Sequence, residues 1–291
     1  MKKKNIVIIT SHNGSFGTGH YQRMKTLQNL LQSDGLFNVL FLCNEYYPGN
    51  TLHKTDESVD LIIRDMRDSD ALDIIALKEM APVLVIDDVG EGRNHADYLL
   101  DLLPNLYDLD KYDNSRFLYG NNFVSSILSL ENSIIKKDID IALYAPSLIE
   151  QHPEIVNELA MHYSVAHFTG TSCQLYGLIA SEKHSQQTMA EILLSSKVLI
   201  THFGIMLFEG YNTGCSLVTV NPSKYHNQLT EIVKEELEIF NMGMTKDVNQ
   251  RMLFEAVKEC LVEEKNKVVS PAGIKETILQ QCENVYKYIK K

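Results

Sequence analysis

Residues 6–31, IVIITSHNGSFGTGHYQRMKTLQNLL, decide how the rest of the chain is read. A β-branched apolar run ends at Thr10. Gly14, Gly17 and Gly19 follow, and from His20 onward Met24, Leu27, Leu30 and Leu31 recur at helical spacing. The short apolar run bounded by turn residues predicts a buried strand over 5–10, and the periodicity predicts a helix over 20–33. Strand, glycine turn and helix in that order open a parallel α/β unit. Glycines let the backbone approach a ligand closely, and the free N–H groups of a helix N-terminus attract anions. The spacing is G-x-x-G-x-G. It is not the dinucleotide G-x-G-x-x-G, and no G-K-[ST] follows, so neither a nicotinamide enzyme nor a P-loop NTPase is expected.

The alternation continues along the chain. Strands are expected at 38–43, 59–65 and 82–88, with a helix at 70–80; then strands at 138–145, 164–169, 197–203 and 216–221. Helices are expected between them at 147–163, 186–196 and 204–214, and at 226–240, 249–265 and 271–290 to finish. Two α/β halves therefore meet near 120–138, read as domains 1–133 and 134–291. In open parallel sheets ligands bind beyond the C-terminal ends of the strands. The cleft between two such domains is the expected site.

The 291 residues carry a normal apolar share of 44% and a net charge of −11 spread along the chain. That balance disfavours nucleic acid or an anionic membrane as the main partner. The N-terminal apolar run is too short for a signal peptide, and no stretch approaches a membrane span. Five widely spaced cysteines without a C-x-x-C read as reduced thiols, so a cytoplasmic location is expected. No zinc spacing joins His53, His95 or His226 to a cysteine. Asp87 and Asp88 end a strand as a metal or sugar-hydroxyl site would, but no third ligand stands at recognisable spacing. No metal and no cofactor are expected.

His20 sits where the turn becomes a helix. A helix N-terminus disfavours a charged imidazole, which leaves a ring able to take a proton from water or a hydroxyl. From composition alone a packed or helix-capping histidine is the slightly better reading.

GTGHYQRMKTL, residues 17–27, resembles the G-x-G-H-x-x-R-x-x-x-L signature of a hydrolase family in pseudaminic acid biosynthesis, which acts on UDP-2,4-diacetamido-2,4,6-trideoxy-β-L-altropyranose. PVLVIDDVGEGRNHADYLLD (82–101), RFLYGNNFVSSI (116–127) and MAEILLSSKVLITHFGIMLFEGYNTGCSLVTVNPSKYHNQ (189–228) are similar to later segments of that family, in order. A more distant likeness is to the glycosyltransferase that adds N-acetylglucosamine in peptidoglycan synthesis. The resemblance implies a GT-B fold: two Rossmann-like α/β domains with the site in the interdomain cleft.

It also implies a UDP-sugar substrate. His20 would be the base that activates water against the anomeric carbon, with UDP leaving and the configuration inverting. Gly17 and Gly19 would lie against the substrate, and Arg23, one helical turn on, would face the same side. A solvated surface charge is the other reading of Arg23. Gly204 and Glu209 keep the family's glycine-to-glutamate spacing, with Glu209 accepting from the ribose hydroxyls. Asn227 and Gln228 match a closing Asn-Gln that hydrogen-bonds sugar or diphosphate.

The chain departs from the family in the second half. THFGIMLFE stands for GAGGSTSWE, so His202 and Phe203 fall within the family's glycine-rich turn and Ile205 replaces a serine. His202 reads either as a substitute positive charge or as packing at a strand end. NNFVSSI lacks the family's arginine. The alternatives to a hydrolase are a GT-B glycosyltransferase, with an acceptor hydroxyl in place of water, and a non-catalytic nucleotide-sugar-binding subunit.

Overall fold

The computed structural model describes residues 3–11, 19–33, 35–43, 58–66, 68–106, 135–169, 172–176, 189–263 and 268–269. These fall into two units, the first ending at Leu106 and the second starting at Ile135. Gly17, the expected boundary at 133/134, and the expected helix over 271–290 lie outside the described residues.

The first unit runs β1 (Lys4–Thr10), α1 (Gly19–Ser33), β2 (Phe37–Cys43), β3 (Leu61–Asp65), α2 (Ala71–Lys78), β4 (Val83–Ile86) and β5 (Tyr98–Leu100). All five strands are parallel, in the order β2-β1-β3-β4-β5. Such strands are covered on both faces, so they read as unbroken apolar runs rather than alternating ones. Ile8, Ile9, Ile62, Ile63, Val83 and Ile86 accordingly form the core, under Leu27 and Leu31 of α1 and Ile74 and Leu77 of α2. β5 was not expected, because YLL is too short to carry a period and only its pairing with β4 defines it.

The second unit comprises β6 (Ile135–Lys136), β7 (Ile139–Tyr144), α3 (Pro146–Gln151), α4 (Pro153–His162), β8 (Val165–Thr169), β9 (Ser172–Tyr176), α5 (Met189–Ser195) and β10 (Ser196–Thr201). It continues with α6 (Ile205–Asn212), β11 (Ser216–Asn221), α7 (Lys224–Val233), β12 (Ile239–Met244), α8 (Gln250–Glu263) and β13 (Val268–Val269). Its main sheet has the order β12-β11-β10-β7-β8-β9, parallel except for β9. β6 and β13 pair separately and antiparallel.

Two expected helices are corrected. The helix over 147–163 is two helices, because Pro153 cannot continue the first and instead takes the opening position of α4. The helix over 226–240 ends at Val233, and the chain turns at Glu238 in a left-handed conformation (φ 52°). Phe240 then pairs with Val218 as part of β12. The apolar positions Leu229, Val233 and Leu237 continue a helical period into the turn, which is why the sequence reads as one long helix.

In both sheets the strand order reverses beside one central strand. Between β1 and β3, and again between β7 and β10, successive connections leave to opposite faces. A crevice opens at the C-terminal ends of the strands at such a point. The side chains with chemistry gather at these two places.

Candidate active-site residues

In the first unit His20 stands in the first turn of α1, and Asp65 is the last residue of β3. The switch point thus brings them together. His20 Nδ1 lies 2.7 Å from Asp65 Oδ1, with the imidazole partly exposed and the carboxylate fully buried. Thr10 at the end of β1 ties the two strand ends by donating its hydroxyl to the Asp65 carbonyl (3.0 Å).

Arg23, one turn after His20, is 1% exposed. It donates through Nε and Nη2 to the two oxygens of Asp65, and through Nη1 to Asp87 Oδ2 at 2.6 Å. Its guanidinium faces carboxylates rather than solvent. Burial works against its charge, but Asp65 and Asp87 outweigh that and raise its pKa. Burial likewise opposes ionisation of Asp65, yet Arg23 and then His20 hold the carboxyl below its ordinary value. An ionised Asp65 can only accept. The hydrogen in the His20 contact therefore sits on Nδ1, and in the neutral ring Nε2 keeps its lone pair.

The two aspartates that end β4 are engaged within the protein. Asp87 Oδ1 accepts from the backbone N–H of Leu102 (2.5 Å) and Leu103 (3.0 Å), and its Oδ2 accepts from Arg23. Asp88 accepts from Arg64 (2.9 Å), Ser69 N (3.0 Å) and Gly90 N (2.9 Å). Arg93 grips Asp101 with both terminal nitrogens, at 2.6 and 2.7 Å. Among the described residues no group of three or more His, Cys, Asp or Glu side chains is placed to hold a metal ion.

In the second unit the strand ends bring Tyr144 of β7 beside His202, which follows β10. Their rings stack with centroids 5.9 Å apart and planes 24° apart, and His226 of α7 meets His202 edge-on at 5.9 Å. Burial, and then His226, push the His202 pKa down to about 4. The ring is neutral at pH 7 and supplies no substitute positive charge. Its Nδ1 is buried without a hydrogen bond to a described residue. Phe203 turns into the core, edge-on to Phe208 at 5.9 Å, and its N–H donates to Asn221 Oδ1 (2.9 Å) at the end of β11.

Gly204 precedes α6 with φ 159° and ψ −174°, a region essentially open only to glycine. A Cβ there would meet no atom closer than 3.9 Å, so the backbone conformation demands the glycine rather than crowding. At Gly210 crowding decides: a Cβ would come within 2.3 Å of Leu199, so the glycine lets α6 lie close on β10. Glu209 is 7% exposed, and its carboxylate accepts no hydrogen bond from a described residue. Burial pushes its pKa up to about 8. Burial and then the Glu209 charge raise the pKa of Tyr144. A carboxylate kept out of water with no donor is costly unless a ligand supplies one.

Asn227 and Gln228 lie next to each other on α7 and so point in different directions. The Asn227 carboxamide oxygen accepts from Asn241 (2.9 Å) and Asn221 (3.5 Å), inside a partly buried amide network. Gln228 is exposed. Asp65, Tyr144 and Asn221 were not singled out from the sequence. Each is a polar residue closing an apolar run, and that is the one signal each carries.

No protein-family model matches the sequence, and no curated protein matches it. Solved structures do match across the whole chain. The glycotransferase of kitacinnamycin is 13% identical with a TM-score of 0.62, covering 96% of each chain. The glycosyltransferase SnogD from Streptomyces nogalater is 11% identical with a TM-score of 0.51, covering 99% of this chain and all of its own. UGT89C1 from Arabidopsis thaliana, solved with UDP-L-rhamnose, is 10% identical with a TM-score of 0.51, covering all of this chain and 96% of its own. The fold is therefore α/β of the GT-B type, with a Rossmann-like parallel sheet in each unit. No described helix is long and apolar enough to cross a membrane.

Proposed function

We propose that this protein acts on a UDP-sugar, with His20 as the general base and Asp65 as its partner. The observation that carries the reading is the 2.7 Å contact between His20 Nδ1 and an ionised, buried Asp65. It favours the tautomer in which Nε2, bonded to no described residue, is the accepting nitrogen. In the reaction, an oxygen nucleophile attacks the anomeric carbon and its proton passes to His20 Nε2. The bond from that carbon to the diphosphate oxygen breaks, UDP leaves with the oxygen, and the configuration inverts. The Asp65 carboxylate balances the imidazolium that forms.

The nucleotide is assigned to the second unit. Glu209, buried with no donor among the described residues, suits a ligand bringing two vicinal hydroxyls, as a ribose does. Gly204 gives the backbone its turn into α6, and Asn227 and Gln228 remain candidates for contacts to sugar or diphosphate. Gly19 opens α1 against the substrate, and Gly17 is assigned beside it from the sequence motif. Arg23 serves the substrate through Asp65 rather than by touching it.

Water is the nucleophile in the reading carried by GTGHYQRMKTL. The product is then a free deoxy amino sugar, on the way to a nonulosonic acid of the pseudaminic type. A sugar or aglycone hydroxyl is the nucleophile in the second reading, favoured by structural neighbours that are themselves glycosyltransferases. A panel of UDP-sugars assayed for UDP release, with and without acceptors, separates the two. Release in buffer alone supports hydrolysis, release only with an acceptor supports transfer, and no release under any condition removes the proposal.

A further inference from the structure

We infer that Asp87, acting through Arg23, braces the His20–Asp65 pair in its proton-accepting arrangement; this rests on the function proposed above. Arg23 spans the two carboxylates, reaching Asp65 with Nε and Nη2 and Asp87 with Nη1. At 1% exposure it cannot exchange either partner for water. Asp87 is anchored in turn by the N–H groups of Leu102 and Leu103. A chain of charge-assisted hydrogen bonds thus runs from the backbone after β5 to the imidazole.

The backbone marks the same residue. Asp87 has φ 50°, in the left-handed region that residues other than glycine rarely adopt. Such strain persists only where the surroundings over-determine it. Here it aims one carboxylate oxygen at Arg23 and the other at two backbone donors. With both oxygens engaged, Asp87 is a positioning residue and not a sugar or metal ligand.

Charge points the same way. Asp88 is matched by Arg64 and Asp101 by Arg93, whereas, among the described residues, Asp65 and Asp87 share one arginine, Arg23. Among the described residues, the groups facing His20 are Asp65 and Arg23; those acting on Asp87 are Arg23 and Asp101. Asp73, Asp65 and Asp68 act on Arg64 beside Asp88. One carboxylate is left over, and it balances the ring when His20 holds a second proton.

The test is nitrogen NMR of the His20 ring in the full-length protein, a readout that needs no substrate. The parent should carry its hydrogen on Nδ1, in slow exchange, with Nε2 bare. Asp87→Asn keeps a residue that tolerates the left-handed backbone but weakens the hold on Arg23. Exchange of the Nδ1 hydrogen should then speed up about tenfold or more, as loss of one charge-assisted hydrogen bond implies, and the Nε2–H tautomer should appear. Arg23→Lys keeps the charge and loses the fork, and should give the same signature. Asp97→Asn, which faces Lys78, should leave the ring signals as in the parent. A parent ring protonated on Nε2 overturns the brace without any variant. So do unchanged signals in folded Asp87→Asn and Arg23→Lys, or an equal change in Asp97→Asn. If no UDP-sugar is turned over while the ring signals behave as expected, the proposed function fails and the brace stands.

Discussion

His20 Nδ1 meets Asp65 Oδ1 at 2.7 Å across 45 residues of sequence. The pair exists because β1 and β3 are neighbours in the sheet and both end at the switch point. The reactive geometry is thus a property of strand order, and substitutions in the network should report on fold and chemistry separately.

Asp65→Asn removes the carboxylate that two groups share and leaves Arg23 buried with one partner. Breaking a buried ion pair from one side costs about 3–5 kcal/mol, so denaturant unfolding at pH 7 should show a loss of that order. The Asp65 carboxyl is held below its ordinary 3.8. Its contribution is therefore whole above that pH and lost as pH falls through the lower, folded value. The parent and the variant should converge in acid; a constant difference at every pH would contradict the ionised pairing.

Glu209 gives the opposite sign. Its folded pKa of about 8 stands above the ordinary 4.5. The folded state binds the proton more tightly, so stability is greatest below pH 4.5 and is lost progressively as pH rises towards 8. At about 1.4 kcal/mol per unit, the loss is on the order of a few kcal/mol. Glu209→Gln should raise Tm clearly at pH 8 and little at pH 4.5. Equal shifts at both would show that the carboxyl is not kept neutral by burial.

His202 limits the acid side. Its folded pKa of about 4 lies below the ordinary 6.5. Its contribution is present above 6.5 and lost as pH falls towards 4. His202→Phe can stack on Tyr144 and has no ring nitrogen to protonate or to leave unpartnered. The parent should lose about 3 kcal/mol more than this variant over that window. Parallel acid melts for the two proteins would place the titrating group elsewhere.

UDP should stabilise the protein, by about 2.7 kcal/mol at a hundredfold its Kd. Glu209→Ala should weaken the binding measured by calorimetry far more than Gln228→Ala, because Glu209 is buried without a donor and Gln228 is exposed. Equal losses would undo the ribose assignment. A thermal shift with another nucleotide but not with UDP would change the base assignment and leave the rest.

Much of the fold is legible in the sequence because parallel strands announce themselves. NIVIIT, VDLIIRD, PVLVIDD and KVLITHF each hold an unbroken apolar run, and helices at 3.6-residue spacing separate several of them. β5, β9 and β12 escape that signal, since they are defined by pairing at sheet edges. His20 was legible through its glycine turn. Asp65 was not, because a strand-terminal aspartate acquires meaning only when strand order puts it beside β1. Arg23 reads from sequence as a substrate or solvent contact, yet the fold buries it between two carboxylates on β3 and β4. Glu209 was legible by its spacing from Gly204, but its isolation from donors is a consequence of packing.

The central claim is that His20 accepts the proton of the attacking oxygen, and His20→Asn tests it most directly. Asparagine keeps a polar side chain able to face Asp65 and removes the base. With a UDP-sugar that the parent turns over, kcat should fall by about 10²–10⁴-fold while the Kd for that sugar nucleotide changes little. An Asn variant that releases UDP as fast as the parent would contradict the account, leaving His20 a structural partner of Asp65.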